Sequence, residues 1–277
     1  MRRGTDVSPG KPRARGFHLL AAAAAILATS SDAAPHAAQT APKPIKLILA
    51  GDSTIAQGTG WGGAFCASHV ASLVACVPIG RGGRSSASYR AEGSWQLALG
   101  ELAVPGYGAR YVMIAFGAND LSHDSAIGTT PQAFAANLMR FVAQVRAAGG
   151  EPILLTPLAT RGFRDGKLAD TMAPSAAKVR EVAARTGTPL IELDLLSGAF
   201  YQKMGPAAAL GFELRPPSAA ELRAAATGTT LPPGNASRRD YTADYIHLNS
   251  RGAAAIAGLI APRLVAAVPA LRTYVKP

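Results

Sequence analysis

The chain has 277 residues, 48% of them hydrophobic and only 16% charged, with 28 Lys and Arg against 17 Asp and Glu. That is enough apolar material for one substantial core, and it excludes collagen-like, coiled-coil and wholly disordered classes. The formal net charge of +11 suits an anionic partner, but the basic residues are scattered and no nucleic-acid-binding motif is present, so DNA and RNA are set aside.

The first forty-odd residues read differently from the rest. Arg2, Arg3, Lys11, Arg13 and Arg15 form a basic lead, followed by an apolar, Ala-rich run from Phe17 to Thr29 and small residues from Ser31 to Ala34. This is the layout of a secretory signal, expected over residues 1–34, and it places the protein in a secreted or periplasmic location. About a dozen apolar residues fall short of the ~20 needed to span a bilayer, so stable membrane insertion after cleavage is not expected. Residues 35–44 read as a flexible leader, and residues 45–277 as one domain. Residues 1–33 carry five basic and two acidic side chains, so the exported part keeps a net charge of about +8. In an oxidising compartment Cys66 and Cys76 are expected to pair as a disulfide, with two buried thiols as the alternative.

From residue 45 short apolar runs alternate with longer amphipathic stretches. Strands are expected at Ile45–Ala50, Cys76–Ile79, Tyr111–Phe116, Pro152–Thr156 and Leu190–Asp194. They are apolar without strict alternation, as parallel strands buried on both faces are. Helices are expected at Gly63–Val74, Pro131–Ala148, Ser175–Thr186, Leu195–Met204 and Ser250–Val268. The clearest starts with Thr130 as N-cap and Pro131 at its first position, carries Phe134, Leu138, Phe141 and Val145 as one stripe, and ends at Gly149-Gly150. Residues 205–243, rich in Ala, Pro, Gly and Thr, read as an irregular insertion. The alternation predicts an α/β fold with a parallel sheet wrapped on both sides, its active site beyond the carboxyl ends of the strands.

Four segments could carry chemistry. Gly51-Asp52-Ser53-Thr54 follows the first strand and can present Ser53 in a cleft, opening towards a helix, or can be an ordinary turn. Gly80-Arg81-Gly82-Gly83-Arg84-Ser85 follows the second; its glycines allow close backbone approach, while the P-loop and dinucleotide fingerprints are absent. Phe116-Gly117-Ala118-Asn119-Asp120 follows the third, and Asn119 could donate to a developing oxyanion. Asp240-Tyr241-Thr242-Ala243-Asp244-Tyr245-Ile246-His247-Leu248 precedes the last helix. There Asp244 can hold the His247 Nδ1–H and leave Nε2 as a base. Two ligands without a third make metal binding the weaker use of this pair, and no cofactor is expected. Together these form a nucleophile, a base with its orienter, and an oxyanion cradle.

The constellation resembles the SGNH (GDSL-type) hydrolase superfamily, whose four named residues match Ser53, Gly83, Asn119 and His247 in order. Within it the chain is most similar to the rhamnogalacturonan acetylesterase-like branch. The residues that carry this likeness are Gly51–Thr54 with Gly60-Trp61-Gly62, Gly82–Ser86 leading to Ser88-Tyr89, Phe116-Gly117-x-Asn119-Asp120, and Asp244-x-x-His247-x-Asn249. The resemblance implies a flavodoxin-like α/β/α sandwich of about five parallel strands, no metal, and removal of acetyl groups from carbohydrate by Ser53, His247 and Asp244. The oxyanion hole it implies is built from Ser53, Gly83 and Asn119. The branch usually carries His where this chain has Ala118, which puts substrate contacts, not hydrolysis, in question. The net positive charge leans towards an acidic polysaccharide such as pectin. A lipase or thioesterase on the same fold, and a non-catalytic carbohydrate-binding protein, are the alternatives.

Overall fold

The structure is a computed structural model that describes residues 42–121, 127–233 and 243–276. The expected signal at 1–34, the leader up to Ala41, and Asp240, Tyr241 and Thr242 of the fourth motif lie outside the described residues.

The sheet strands are β1 (Ile45–Gly51), β2 (Val74–Pro78), β3 (Ala109–Ala115), β4 (Glu151–Leu155) and β7 (Leu190–Ile191). Between β4 and β7 a separate two-stranded antiparallel hairpin joins β5 (Phe163–Arg164) to β6 (Lys167–Leu168). The five sheet strands are all parallel and lie in the order β2-β1-β3-β4-β7. Counting sheet strands alone, this is the 2-1-3-4-5 order of flavodoxin-like folds. Leu47 of β1 pairs in register with Cys76 of β2 and Tyr111 of β3.

Nine α-helices cover the described residues: α1 (Gly62–Ser68), α2 (Ser86–Ala91), α3 (Ser94–Ala103), α4 (Pro131–Ala147), α5 (Ala173–Thr186), α6 (Leu193–Met204), α7 (Pro206–Ala209), α8 (Ala219–Ala226) and α9 (Ser250–Ala267). Side chains of a strand alternate between faces, and the core divides accordingly. Leu47, Leu49, Tyr111 and Met113 pack with Phe65 of α1, Tyr201 of α6 and Ile256 and Ile260 of α9. Ile48, Ala50, Val112 and Ile114 pack with Tyr89 of α2, Trp95 of α3, Phe134 and Phe141 of α4 and Val179 of α5. Two apolar cores on opposite faces of one sheet make a three-layer α/β/α sandwich, as the alternation of elements implied.

Thr130 caps α4 by accepting from Ala133 N at 3.1 Å, and all four residues of the expected stripe are buried, with Trp95 stacked on Phe141 at 4.0 Å. A disulfide joins Cys66 of α1 to Cys76 of β2. No described helix is long and apolar enough to cross a membrane.

Several expected boundaries move. The helix expected to reach Val74 stops at Ser68, because Val70 bridges to Val275 and Ala71 N donates to Tyr274 O, so the C-terminal segment captures this stretch. β2 is an edge strand and only half-buried, unlike the fully buried strand expected. β7 ends at Ile191 rather than Asp194, since α6 begins at Leu193. The region expected to be irregular from residue 205 holds α7, a 3-10 turn at Leu210–Phe212, and α8, whose N-terminus is closed by a reciprocal Ser218–Glu221 capping box. The short helices α2 and α3 and the β5–β6 hairpin were not expected at all.

Candidate active site

All four chemistry-bearing segments converge at the carboxyl edge of the sheet. β1 delivers Asp52 and Ser53, β2 the glycine loop, β3 the Gly117–Asp120 turn, and the segment ahead of α9 brings Asp244 and His247. Ser53 does not open directly into a helix as expected. It sits in a run of turns, and α1 begins only at Gly62.

Asp52 welds two of these segments. Its Oδ1 accepts from Thr54 N at 2.9 Å and Thr54 Oγ1 at 2.8 Å, while Oδ2 accepts from Ala118 N at 3.4 Å. Burial raises the Asp52 carboxyl above its ordinary range, and the Thr54 and Ala118 hydrogen bonds and His247 offset part of that. Gly51 is required by contact: a Cβ there would lie 2.2 Å from Ala115 O.

Gly83 adopts φ +69°, a left-handed conformation that favours glycine, and so turns the backbone of the second loop. Gly82 faces the serine, since a Cβ on it would lie 3.9 Å from Ser53 Cβ. Arg84 braces the loop from below by donating to Gly82 O at 2.8 Å and to Glu92 at 2.8 Å. Asn119 Nδ2 donates to Arg84 O at 3.2 Å, which ties the third segment to the second.

The neighbouring Asp120 is fully buried. Its Oδ1 accepts from Ser86 N at 2.9 Å and Ser86 Oγ at 2.5 Å, and Asn137 donates to the same hydroxyl at 3.0 Å. Among the described residues its Oδ2 has no hydrogen-bond partner. Burial, with Asp52 adding repulsion, pushes Asp120 up to about 7 against the Ser86 hydrogen bonds. It anchors the start of α2 beneath the glycine loop.

His247 Nδ1 meets Asp244 Oδ2 at 2.7 Å, and Asp244 Oδ1 accepts from Ile246 N and His247 N, both at 3.0 Å. Burial works to raise the Asp244 carboxyl, but these three hydrogen bonds outweigh it and hold the group at about 2. Asp244 is therefore a carboxylate at neutral pH. The His247 segment is docked on the serine loop through the backbone: Leu248 N donates to Thr59 O at 2.9 Å, and Thr59 Oγ1 donates to Ser53 O at 2.9 Å. Among the described residues no hydrogen bond joins Ser53 Oγ to the His247 ring.

Behind this segment lie Arg161 and Glu213, which no sequence motif flagged, and Asn249, which the Asp244-x-x-His247-x-Asn249 block contains. Arg161, 1% exposed, pairs with Glu213 at 2.6 Å and also donates to His247 O at 2.6 Å. Asn249 caps α9 by accepting from Gly252 N at 3.0 Å and donates to Gly211 O and Glu213 O. A cavity of about 1020 Å³, lined in part by Phe163, Arg164, Lys167, Leu231, Asp244 and Tyr245, opens beside Asp244 rather than over Ser53. Among the described residues no group of three or more His, Cys, Asp or Glu side chains is placed to hold a metal ion.

The profile of the GDSL-like Lipase/Acylhydrolase family matches residues 49–255. The chain belongs to that family, in its rhamnogalacturonan acetylesterase-like branch. It is 30% identical over 173 residues to rhamnogalacturonan acetylesterase RhgT of Bacillus subtilis (strain 168), covering 59% of this chain and 71% of the relative. It is 28% identical over 168 residues to "Probable rhamnogalacturonan acetylesterase YesY" of the same strain, covering 57% and 75%. A solved Bacillus subtilis protein structure shares the fold with a TM-score of 0.62 at 22% identity, over 80% of this chain and 56% of that one.

Proposed function

We propose that this protein is an exported serine esterase that removes O-acetyl groups from carbohydrate, with an acidic, pectin-type polysaccharide as its substrate. The observation that carries the reading is the 2.7 Å contact between Asp244 and His247, docked through Leu248 and Thr59 onto the loop that bears Ser53. The two acetylesterase relatives support the acetyl group and the sugar, and the net positive charge supports an anionic polymer. The basic, apolar and small-residue order of residues 1–34 supports export.

The chemistry is a two-step acyl transfer. Asp244 holds the Nδ1–H of His247, so that Nε2 accepts the Ser53 proton as the hydroxyl attacks the acetyl carbonyl. The Ser53–His247 hydrogen bond is one that forms on substrate binding, as is common in hydrolases whose cleft is open. The tetrahedral oxyanion is met by the backbone N–H groups of Ser53 and Gly83 and by the free amide proton of Asn119. His247 then protonates the leaving sugar alkoxide. Water attacks the acetyl-serine with His247 again as base, releasing acetate and restoring Ser53.

A second reading, a lipase or thioesterase on the same scaffold, is favoured by the family's breadth. Acetate release from a panel of acetylated polysaccharides, beside nitrophenyl esters of increasing chain length, separates the two. The acetylesterase reading predicts activity that falls beyond acetate and prefers uronate-containing polymers. Ser53→Ala should remove nearly all turnover on an aryl acetate; retained wild-type turnover would overturn the mechanism.

A further inference from the structure

We propose that Arg161, paired with Glu213, is a positioning residue that holds the Asp244–His247 segment in its reactive geometry. The inference rests on the ester-hydrolase reading above. Arg161 belongs to the loop that follows β4, far in sequence from the segment it grips, and its guanidinium is completely buried. Its backbone N–H donates to Tyr245 O at 2.7 Å. Its side chain donates to Ile246 O at 3.4 Å and to His247 O at 2.6 Å. One residue thus holds three successive carbonyls, those of 245, 246 and 247.

Glu213 completes the grip from the other side. Its Oε1 accepts from Arg161 at 2.6 Å, and its Oε2 accepts from Asp244 N at 3.2 Å. The pair therefore fixes the backbone at both ends of the segment while touching neither the imidazole nor the Asp244 carboxylate. The ring of Tyr201 lies 5.7 Å from the Arg161 guanidinium and closes the apolar side.

The segment needs such restraint. Tyr245 holds φ +61°, a left-handed conformation unusual for a bulky aromatic residue, so the local chain is not relaxed by itself. That turn lets Asp244 Oδ1 accept from both Ile246 N and His247 N while Oδ2 meets the ring. A buried ion pair is a costly way to hold a surface loop when apolar packing could do so. Its guanidinium fork reads carbonyl positions that an apolar side chain cannot. Positional error at a catalytic base is expensive, since a displacement of about 1 Å can cost on the order of 10²-fold in rate.

The test compares Arg161→Met, Arg161→Lys and Glu213→Gln with the wild-type protein on an aryl acetate. It also follows the downfield Nδ1–H proton resonance of His247 by NMR. Arg161→Met should lower kcat on the order of 10²-fold with KM within about threefold, and should broaden or remove the resonance. Arg161→Lys, which keeps the charge opposite Glu213, should recover part of the loss, and Glu213→Gln should fall between the two. In an Asp244→Asn background Arg161→Met should cost little more, because the contact it protects is already changed.

Wild-type kcat in folded Arg161→Met overturns the proposal, and so does an equal loss with and without Asp244→Asn. If circular dichroism shows Arg161→Met unfolded, Arg161→Lys decides: a loss of about tenfold in kcat at constant KM supports the proposal, and wild-type turnover overturns it. If the wild-type protein hydrolyses no ester, the enzymatic reading fails. The resonance then decides the positioning claim separately: its broadening or loss in Arg161→Met supports the claim, and its unaltered persistence there overturns it.

Discussion

In the proposed mechanism Asn119 has two duties at one amide group, and the first serves the second. One proton is spent on Arg84 O, which orients the side chain; in the proposed mechanism the other meets the developing oxyanion. An amide already held in place loses no freedom at the moment of reaction, which is what makes such donors effective. Asn119→Ala should therefore lower kcat on the order of 10²–10³-fold on an aryl acetate, with a smaller effect on KM. Asp120 beside it does different work. It is buried with one oxygen unpartnered, a condition that suits a protonated carboxyl better than a carboxylate. Ser53, Asn119, Asp244 and His247 could be named as candidates from the sequence because each follows a strand or precedes a helix in a recognisable block. The environment of Asp120, set by Ser86 and Asn137, could not.

At the scale of the element, α9 shows how one side chain can serve both a helix and a site. Asn249 satisfies an orphan amide of the first turn through Oδ1 and two loop carbonyls through Nδ2. Asn249→Ala should cost about 1–3 kcal/mol in urea unfolding, the cap contributing about 1 and the abandoned carbonyls the rest. Activity should fall with it, because the same residue borders the His247 segment. The helices with a strong apolar stripe, α4 above all, were legible from the sequence. The helices α2 and α3 were not: they are short, start in a Gly- and Ser-rich stretch, and are stabilised by packing of Tyr89 and Trp95 on the sheet rather than by propensity. The capping box at Ser218–Glu221 was present in the sequence but masked by the surrounding Pro and Thr residues.

At the scale of the whole molecule, the buried Asp120 and the half-buried Asp244 give stability an unusual dependence on pH. Asp120, raised to about 7, binds its proton more tightly when folded, so stability falls as pH rises from about 4 to about 7 and is then level. Asp244, held at about 2, acts in the opposite sense: its contribution is present above about pH 4 and is lost as pH falls towards 2. Asp120→Asn should weaken the first trend, to which the raised Asp52 carboxyl also contributes, and raise stability at pH 8 by on the order of 2–4 kcal/mol, read from thermal or urea unfolding across pH 4–8. Loss of stability below pH 4 should persist in that variant. The Cys66–Cys76 disulfide ties α1 to the edge strand β2 across ten residues. Replacing both cysteines with Ser should cost about 2–3 kcal/mol of unfolding free energy by the loop-closure estimate, with kcat little changed because the bridge lies away from Ser53.

By itself the sequence determined the class of fold, the four strand-end and pre-helix segments, and the candidate residues for acyl-transfer chemistry. Each of those is encoded locally, in an apolar run, a turn, or a spacing of three between Asp244 and His247. Only the tertiary structure decided what holds them in register. Arg161 meets Glu213 across 52 residues of chain and His247 across 86, and Asp120 meets Ser86 across 34. No periodicity in a sequence encodes contacts at such separations. They exist because the parallel sheet brings its carboxyl ends to one edge, and burial there drives most polar groups to find a partner or change their charge.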